Sequence, residues 1–258
     1  MTSTTKIVII TGCSSGIGLA ATKLFVEKGY NVFGLDVADF AIEMDDKVFS
    51  FHKADLCKDG AIEAAVEACV KKFGPPTTLL NIAGVMDAFE AADTVSDAQW
   101  DRQIAVNLTA PVKLMRAVLP HMQAAKQGAI VNVCSRAAIG GACAGVAYTA
   151  SKHGLLGATK NTAWRFRKER IRVNAVLPGA IATGIGSSIS RDSFDKASYA
   201  ECLPVTNLTS DQSLEYEQRK EQDIQPEAVA KSIYFLASED AGVLTGVCMP
   251  VDKGWSTI

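Results

Sequence analysis

The stretch from Ile7 to Lys28 constrains this chain more than any other. An apolar, strand-sized run, Ile7-Val8-Ile9-Ile10, passes into Thr11-Gly12-Cys13-Ser14-Ser15-Gly16-Ile17-Gly18, and Leu19, Ala20, Leu24 and Phe25 follow at helical spacing. Strand, glycine turn and helix start in that order form the context of a nucleotide phosphate site. Gly12 lets the chain turn sharply, Gly16 lets the backbone approach a pyrophosphate, and Gly18 lets helix and strand pack closely. The helix N-terminus offers unpaired N–H groups and a partial positive charge to the phosphates. Ser14, Ser15 and Ile17 lie in the same turn, and the hydroxyls of Thr11 and Ser14 add donors.

The pattern then repeats. A helix from about residue 17 to 28 stops at Gly29, and Asn31 to Leu35 is a second strand running into Asp36. Asp36 lies eighteen positions after Gly18, close to where a dinucleotide site places an acid on the adenosine ribose. Its carboxylate accepts hydrogen bonds from the ribose hydroxyls and repels a 2′-phosphate. No cation stands at Val37 or Ser15 to neutralise that phosphate, so NAD is the expected cofactor. Val48 to His52 alternates as a third strand. Ala61 to Phe73 is a helix with Ile62, Ala65, Val66, Cys69 and Val70 on one face, closed by Gly74-Pro75-Pro76. Thr78-Leu79-Leu80 continues the apolar pattern into Asn81. Ser96, with Gln99 three on, caps a long helical pattern to about Ala125, which Pro111 and Pro120 should kink or break.

Ala129 to Cys134 and Ile171 to Leu177 read as strands flanking a helix from Tyr148 to Phe166. Residues 184–225 are polar and irregular, a lid. Pro226 opens a last helix to Ala237, and Val247 to Val251 is a final strand. Strand–helix alternation without linker or repeat predicts one domain over 1–258. Its fold is α/β: a doubly wound, mostly parallel sheet of about seven strands with helices on both faces.

Ser135 is followed thirteen positions later by Tyr148, and Lys152 lies four beyond, so Tyr148 and Lys152 share a helix face. A tyrosine with a pKa near ~10 is a poor base at neutral pH. An ammonium within a few Å should favour the phenolate and lower that value. Ser135, at the C-terminal end of a central strand, falls where open α/β sheets bind ligands, and its hydroxyl can hold a carbonyl or alcohol oxygen. Singly these features are ordinary: such a Tyr–Lys pair is usually a surface pairing, and such a serine a turn residue.

Together the residues resemble the short-chain dehydrogenase/reductase family. T-G-x-x-x-G-I-G at 11–18, Asp36, Asp55-Leu56, Asn81-Ile82-Ala83-Gly84, Asn107, Ser135, Tyr148, Lys152 and Pro178-Gly179 stand in family order over roughly 6–254. The resemblance implies that Asn107, Ser135, Tyr148 and Lys152 are catalytic, Asn107 holding a water in a proton relay that ends at Lys152. It implies that Asp55 and Leu56 contact the adenine side and that Asn81, Ala83 and Gly84 belong to the cofactor cleft. Lys152 would also contact the nicotinamide ribose, Ile181-Ala182-Thr183 would hold the carboxamide, and Pro178 and Gly179 would also contact the cofactor. Two departures stand out. Ile82 replaces the second Asn of the family's N-N-A-G, which bears on stability more than chemistry, and Val251-Asp252-Lys253-Gly254 replaces V-D-G-G.

Composition excludes several classes. A net charge of −2 without a basic run argues against nucleic-acid binding. The longest apolar stretches are strand-sized, so no membrane span is expected, and the polar lead Met1–Lys6 does not resemble a signal peptide; the cytoplasm is the expected location. Seven scattered cysteines without a C-x-x-C pair, and histidines at 52, 121 and 153 without metal spacing, imply neither disulfides nor a metal. The expected activity is hydride transfer between NAD and a small-molecule secondary alcohol or ketone. The mostly small residues from Ala137 to Ala147 leave room for a bulky ring, and Ile185/Ile189 and Tyr199/Leu203 suit short lid helices with apolar faces turned inward. The alternatives are a dehydratase, epimerase or cyclase using the same site, or a nucleotide-binding protein without turnover. The resemblance also implies a homo-oligomer, dimer or tetramer, built on the helices near 98–125 and 148–168, with Trp164 and Phe166 helping to cover the interface.

Overall fold

Successive residues of strand β1 (Ile7–Thr11) face opposite helix layers: Ile7 and Ile9 join one hydrophobic cluster, Val8 and Ile10 the other. β2 (Asn31–Asp36) divides the same way, Phe33 and Leu35 opposing Val32, and in β4 (Thr78–Asn81) Leu79 opposes Leu80. Strands buried on both faces must be apolar throughout, which is why these segments read as continuous runs. With β3 (Phe49–Lys53), β5 (Gly128–Val133), β6 (Ile171–Pro178) and β7 (Cys248–Val251) they form a seven-stranded sheet in the order β3-β2-β1-β4-β5-β6-β7. Every pairing is parallel. This architecture is seen in a computed structural model that describes residues 6–208, 214–215, 218 and 223–258.

Helix α1 (Gly16–Glu27) ends where its sequence says it should. Gly29 takes a φ of 78°, its N–H reaches Val26 O, and Tyr30 N–H reaches Phe25 O, each at 3.0 Å. Helix α2 (Ala61–Phe73) runs between Gly60 and Gly74. Helix α3 (Asp97–Ile104) is capped by the Ser96 hydroxyl, which accepts the Gln99 N–H. It passes through a π-helical turn (Ala105–Thr109) into α4 (Ala110–Ala125). The expected break is therefore a widened turn, and Pro120 stays within a continuous α4.

Helix α5 (Val146–Phe166) follows β5, and α6 (Lys196–Thr206) and α7 (Pro226–Ala237) follow β6. Part of the expected lid lies outside the described residues; in the remainder α6 is helical and Ile185–Ser188 is a short 3₁₀ turn that stops before Ile189. Residues of α2, α4 and α5, among them Ile62, Leu114, Val118 and Ala163, cover one sheet face. Phe25 of α1 and Val229 and Ile233 of α7 cover the other. Among the described residues no helix is long and apolar enough to cross a membrane.

The strand order reverses between β1 and its neighbours β2 and β4, so connections leave the C-terminal edge in opposite directions and open a crevice there. At that edge α1 starts against the turn that precedes it. A Cβ added to Gly18 would lie 1.8 Å from Gly12 O. Gly18→Ala should therefore force helix and strand apart and cost about 3 kcal/mol or more. Thermal unfolding checks this: an unchanged Tm would mean the turn yields more easily than its packing implies.

Candidate active site

Two cavities occupy the C-terminal edge and share Gly84 in their walls. The first, about 220 Å³, is lined by Gly12, Ser15, Asp36, Asp55, Leu56, Asn81 and Ala83. The second, about 340 Å³, is lined by Ile17, Ser135, Tyr148, Lys152, Pro178, Gly179, Ile181 and Thr183. Most of the residues expected from sequence to hold a dinucleotide and to act on a substrate thus fall into two adjoining spaces, while Ser14, Gly16, Gly18 and Asn107 line neither. A larger cavity, about 570 Å³, lies at the opposite, N-terminal ends of the strands among Lys6, Thr77, Arg170, Arg172 and Glu239. It contains none of these residues, and open parallel sheets bind ligands at the other edge.

Between the two cavities lies the start of α1. Ser15, its N-cap, makes no side-chain capping bond, so the first-turn N–H groups keep their character as an anion site. Gly16 has a φ of 49°, and a Cβ there would meet Thr183 at 3.1 Å. With no side chain of its own, Gly16 leaves its backbone open beside the Thr183 side chain where a pyrophosphate would cross, and the groove fits a dinucleotide.

Several polar groups have other partners than the sequence suggested. Thr11 Oγ1 accepts the N–H groups of Ile82 and Ala83 at 2.9 and 3.0 Å, so it joins two strand ends and is no phosphate donor. The Ser14 N–H donates to Asp36 Oδ2 at 2.9 Å, and its hydroxyl reaches Ala38 O at 3.4 Å; both orient the Asp36 loop. Asp36 Oδ1 also accepts the Ala38 N–H at 3.0 Å. The Asn81 amide turns into the sheet, donating to Asn132 Oδ1 at 2.8 Å, and Asn132 in turn donates to Thr159. That buried chain braces the strands, while Ile82 packs against the apolar cluster of α1 and α7.

Lys152 is 3% exposed, donates to Val133 O at 3.0 Å, and lies 5.5 Å from the Tyr148 ring centroid. Burial lowers its pKa to about 8. Burial also raises that of Tyr148 to about 12, against the downward pull of a hydrogen bond from Ser135. The expected lowering of the phenol by its lysine is thus overturned. Desolvation disfavours the charged form of both groups, and it is the largest cause of each shift. Asn107, fully buried in the π turn, grips Val85 at both ends: its Oδ1 accepts the Val85 N–H and its Nδ2 donates to Val85 O, each at 2.9 Å.

The segment from Ala137 to Ala147 is not the open wall its small residues suggested. Ala137, Ala138, Ala144 and Ala147 are buried in packing, and of that stretch only Cys143 lines the second cavity. Apolar lining comes instead from Met86, Phe89 and Trp255, together with Ile185 and Tyr199 of the expected lid. Sequence reading missed Met86, Phe89 and Trp255, because no local pattern marks a side chain that meets the site only through tertiary folding. Among the described residues no cluster of potential metal ligands is present, and the described cysteines are free.

A family model described as short chain dehydrogenase matches residues 6–193. The chain belongs to this family. It is an oxidoreductase, and the short-chain dehydrogenases bind a nicotinamide cofactor. It is 47% identical to the short-chain dehydrogenase/reductase cdmF of Talaromyces verruculosus, over 98% of this chain and 97% of the relative. It is 46% identical to asnovolin H dehydrogenase nvfC of Aspergillus novofumigatus, over 98% and 97%. Among solved structures, levodione reductase superposes with a TM-score of 0.82 at 25% identity, covering 98% of each chain.

Lys152 gives this site a measurable stability signature. The unfolded chain keeps that proton to about pH 10.5 and the folded chain only to about 8. Between those values the unfolded state binds more protons, so stability rises with pH. Lys152→Met should be more stable than the parent at pH 7, by up to ~3 kcal/mol. The gap should close as pH climbs from 8 towards 10.5. Denaturant melts at pH 7 and pH 10 decide it; a variant less stable than the parent at both would show that the lysine is well solvated or well paired.

Proposed function

We propose that this enzyme transfers a hydride between NAD and the carbinol or carbonyl carbon of a bulky, largely apolar, ring-bearing secondary alcohol or ketone. One observation carries the reading: Ser135, Tyr148 and Lys152 line a cavity that meets, at Gly84, the cavity bearing Asp36. When bound, nicotinamide supplies the two-electron chemistry; the proton and the geometry fall to the chain. Ser135 holds the substrate oxygen. Tyr148 gives that oxygen a proton in reduction and takes one in oxidation. Lys152 stabilises the phenolate as it forms and holds the ribose beside it, and Asn107 fixes the Val85 segment under the reacting groups.

The choice of NAD rests on Asp36. Its carboxylate is oriented by two backbone N–H groups, and the nearby Lys53 is paired with Asp39 at 2.6 Å. A 2′-phosphate would meet an uncompensated negative charge. The substrate class rests on the lining: Met86, Phe89, Tyr199 and Trp255 offer apolar and aromatic surface beside the residues assigned to the nicotinamide. Two similar proteins carry names that specify redox of a single compound, asnovolin H and levodione. We place the protein in the cytoplasm as one domain, residues 184–225 serving as the substrate lid, and as a dimer or tetramer. Trp164 is 65% exposed on α5 and Val112 40% on α4, apolar surface that a second copy would cover.

Three measurements test the reading. kcat/KM with NAD should exceed that with NADP by at least ~100-fold, consistent with a desolvated charge conflict; an NADP preference removes the Asp36 argument. Tyr148→Phe should bind NAD as the parent does while kcat falls at least ~100-fold. Near-parental turnover by that variant would mean another group handles the proton. On the parent, 2-decalol should be a better substrate by kcat/KM than small diols, and the reverse order would refute the bulky-ring assignment.

A further inference from the structure

Asp87 lies three residues beyond Gly84 on the segment leaving β4, fully buried. Its Oδ1 accepts the N–H groups of Phe89 at 3.2 Å and Gly145 at 3.0 Å, and its Oδ2 accepts that of Tyr148 at 2.9 Å. Gly145 is the N-cap of α5, and that helix makes no side-chain cap of its own. The carboxylate therefore supplies, from a distant segment, what a capping side chain supplies locally: acceptors for the free donors of the first turn, in the favourable field of the helix N-terminus. The fit is close, since a Cβ on Gly145 would lie 2.6 Å from Asp87 Oδ2. Alongside, the Val146 N–H donates to Glu90 O at 2.9 Å.

The same carboxylate shapes the substrate cavity. Phe89 has a φ of 63°, a left-handed conformation that is strained for a bulky residue. The bond from its N–H to Asp87 holds that turn, which directs the ring into the cavity wall. There Phe89 meets Tyr199 edge-on at 4.8 Å and Phe194 at 5.9 Å between ring centroids. Neighbouring backbone joins the same region to the lid: the Asp195 N–H donates to Ala88 O at 2.9 Å, and the Met86 N–H to Ser188 Oγ at 2.8 Å.

We propose that Asp87 is a positioning residue of the reaction. By binding the first turn of α5 and the Phe89 turn together, it fixes the Tyr148 phenol relative to the aromatic wall on which the substrate ring rests. This rests on the assignment of Tyr148 as the proton-transfer group. A cap that served stability alone would lower Tm and leave each folded molecule's turnover and selectivity intact. A positioning role alters both.

The test is Asp87→Asn, which turns one acceptor oxygen into a donor set against backbone N–H groups. With NAD as cofactor and 2-decalol and cyclohexanol as probes, kcat should fall at least 30-fold on both. The kcat/KM preference for decalol over cyclohexanol should shrink at least fivefold, while the NAD Kd stays within threefold of the parent. A lowered Tm with kcat and preference unchanged overturns the proposal. Should Asp87→Asn fail to fold, Gly145→Ala keeps the carboxylate and displaces it; the same losses are expected, and parental kinetics would overturn the proposal equally. A parent inert on both alcohols, or an active Tyr148→Phe, would bring down the functional assignment itself and the proposal with it.

Discussion

The Thr11 hydroxyl ties together the two strand ends between which the crevice opens. It accepts the N–H groups of Ile82 and Ala83 and reaches back to Leu80 O at 3.5 Å. β1 and β4 are neighbours in the sheet, yet their connections depart in opposite directions, so beyond their last ladder bonds the backbone groups have no natural partners. A buried side chain that takes two of those donors lets the edge end cleanly. Gly12 and Ala83 can then approach until a Cβ on the former would be 3.0 Å from the latter's Cα. Both adjoining cavities are built on the floor this contact fixes.

On that floor the site works against the stability of the sheet below. The interior accepts polar groups where they satisfy one another, as in the chain from Asn81 through Asn132 to Thr159. Lys152 is different: a cation nearly without exposure, with a strand carbonyl as its partner. Burial pushes the lysine's pKa down and the tyrosine's up. Desolvation thus favours the neutral form of both groups, and strongly perturbed ionisable side chains lining a cleft mark a functional site.

How much of this was legible in the sequence depends on the range of the forces involved. Local chemistry marked the end of α2 at Gly74 and the start of α7 at Pro226, and both helices run as read. The apolar run from Ile7 to Ile10 marked β1 as a strand. The Ser135, Tyr148 and Lys152 set was legible through its resemblance to the family pattern, and the structure brings it to one cavity. What escaped were roles settled by partners far along the chain. Thr11 read as a phosphate donor because nothing local reveals that residues 82 and 83 arrive beneath it. Asp87 carried no pattern at all, since its partners lie 58 and 61 positions away. The alanines after Ser135 read as open space because composition cannot distinguish a small residue that leaves room from one that lets backbones close up.

The long helical stretch from 97 to 125 shows a feature correctly located and wrongly explained. Its prolines suggested a break, and an irregularity does lie just before Pro111. The register, however, changes by one extra residue: the Ala110 N–H bonds to Ala105 O, five positions back. Pro111 has no N–H to return to Asn107 in an α register or to Val106 in a π register, so a widened turn there sacrifices less than it would elsewhere. What the turn gains is direction. It delivers the Asn107 amide to Val85, where it forms a two-way bond like a rung of a sheet, with Gln103 Oε1 accepting the other amide hydrogen at 2.8 Å. A Cβ on Gly84 would meet Asn107 Oδ1 at 3.2 Å and Lys152 Nζ at 3.3 Å. The π turn thus sets one wall of the narrow space where the two cavities join. A straight α-helix would carry Asn107 round to a different face and leave Val85 unbound, so the irregular backbone is explained by the site it serves.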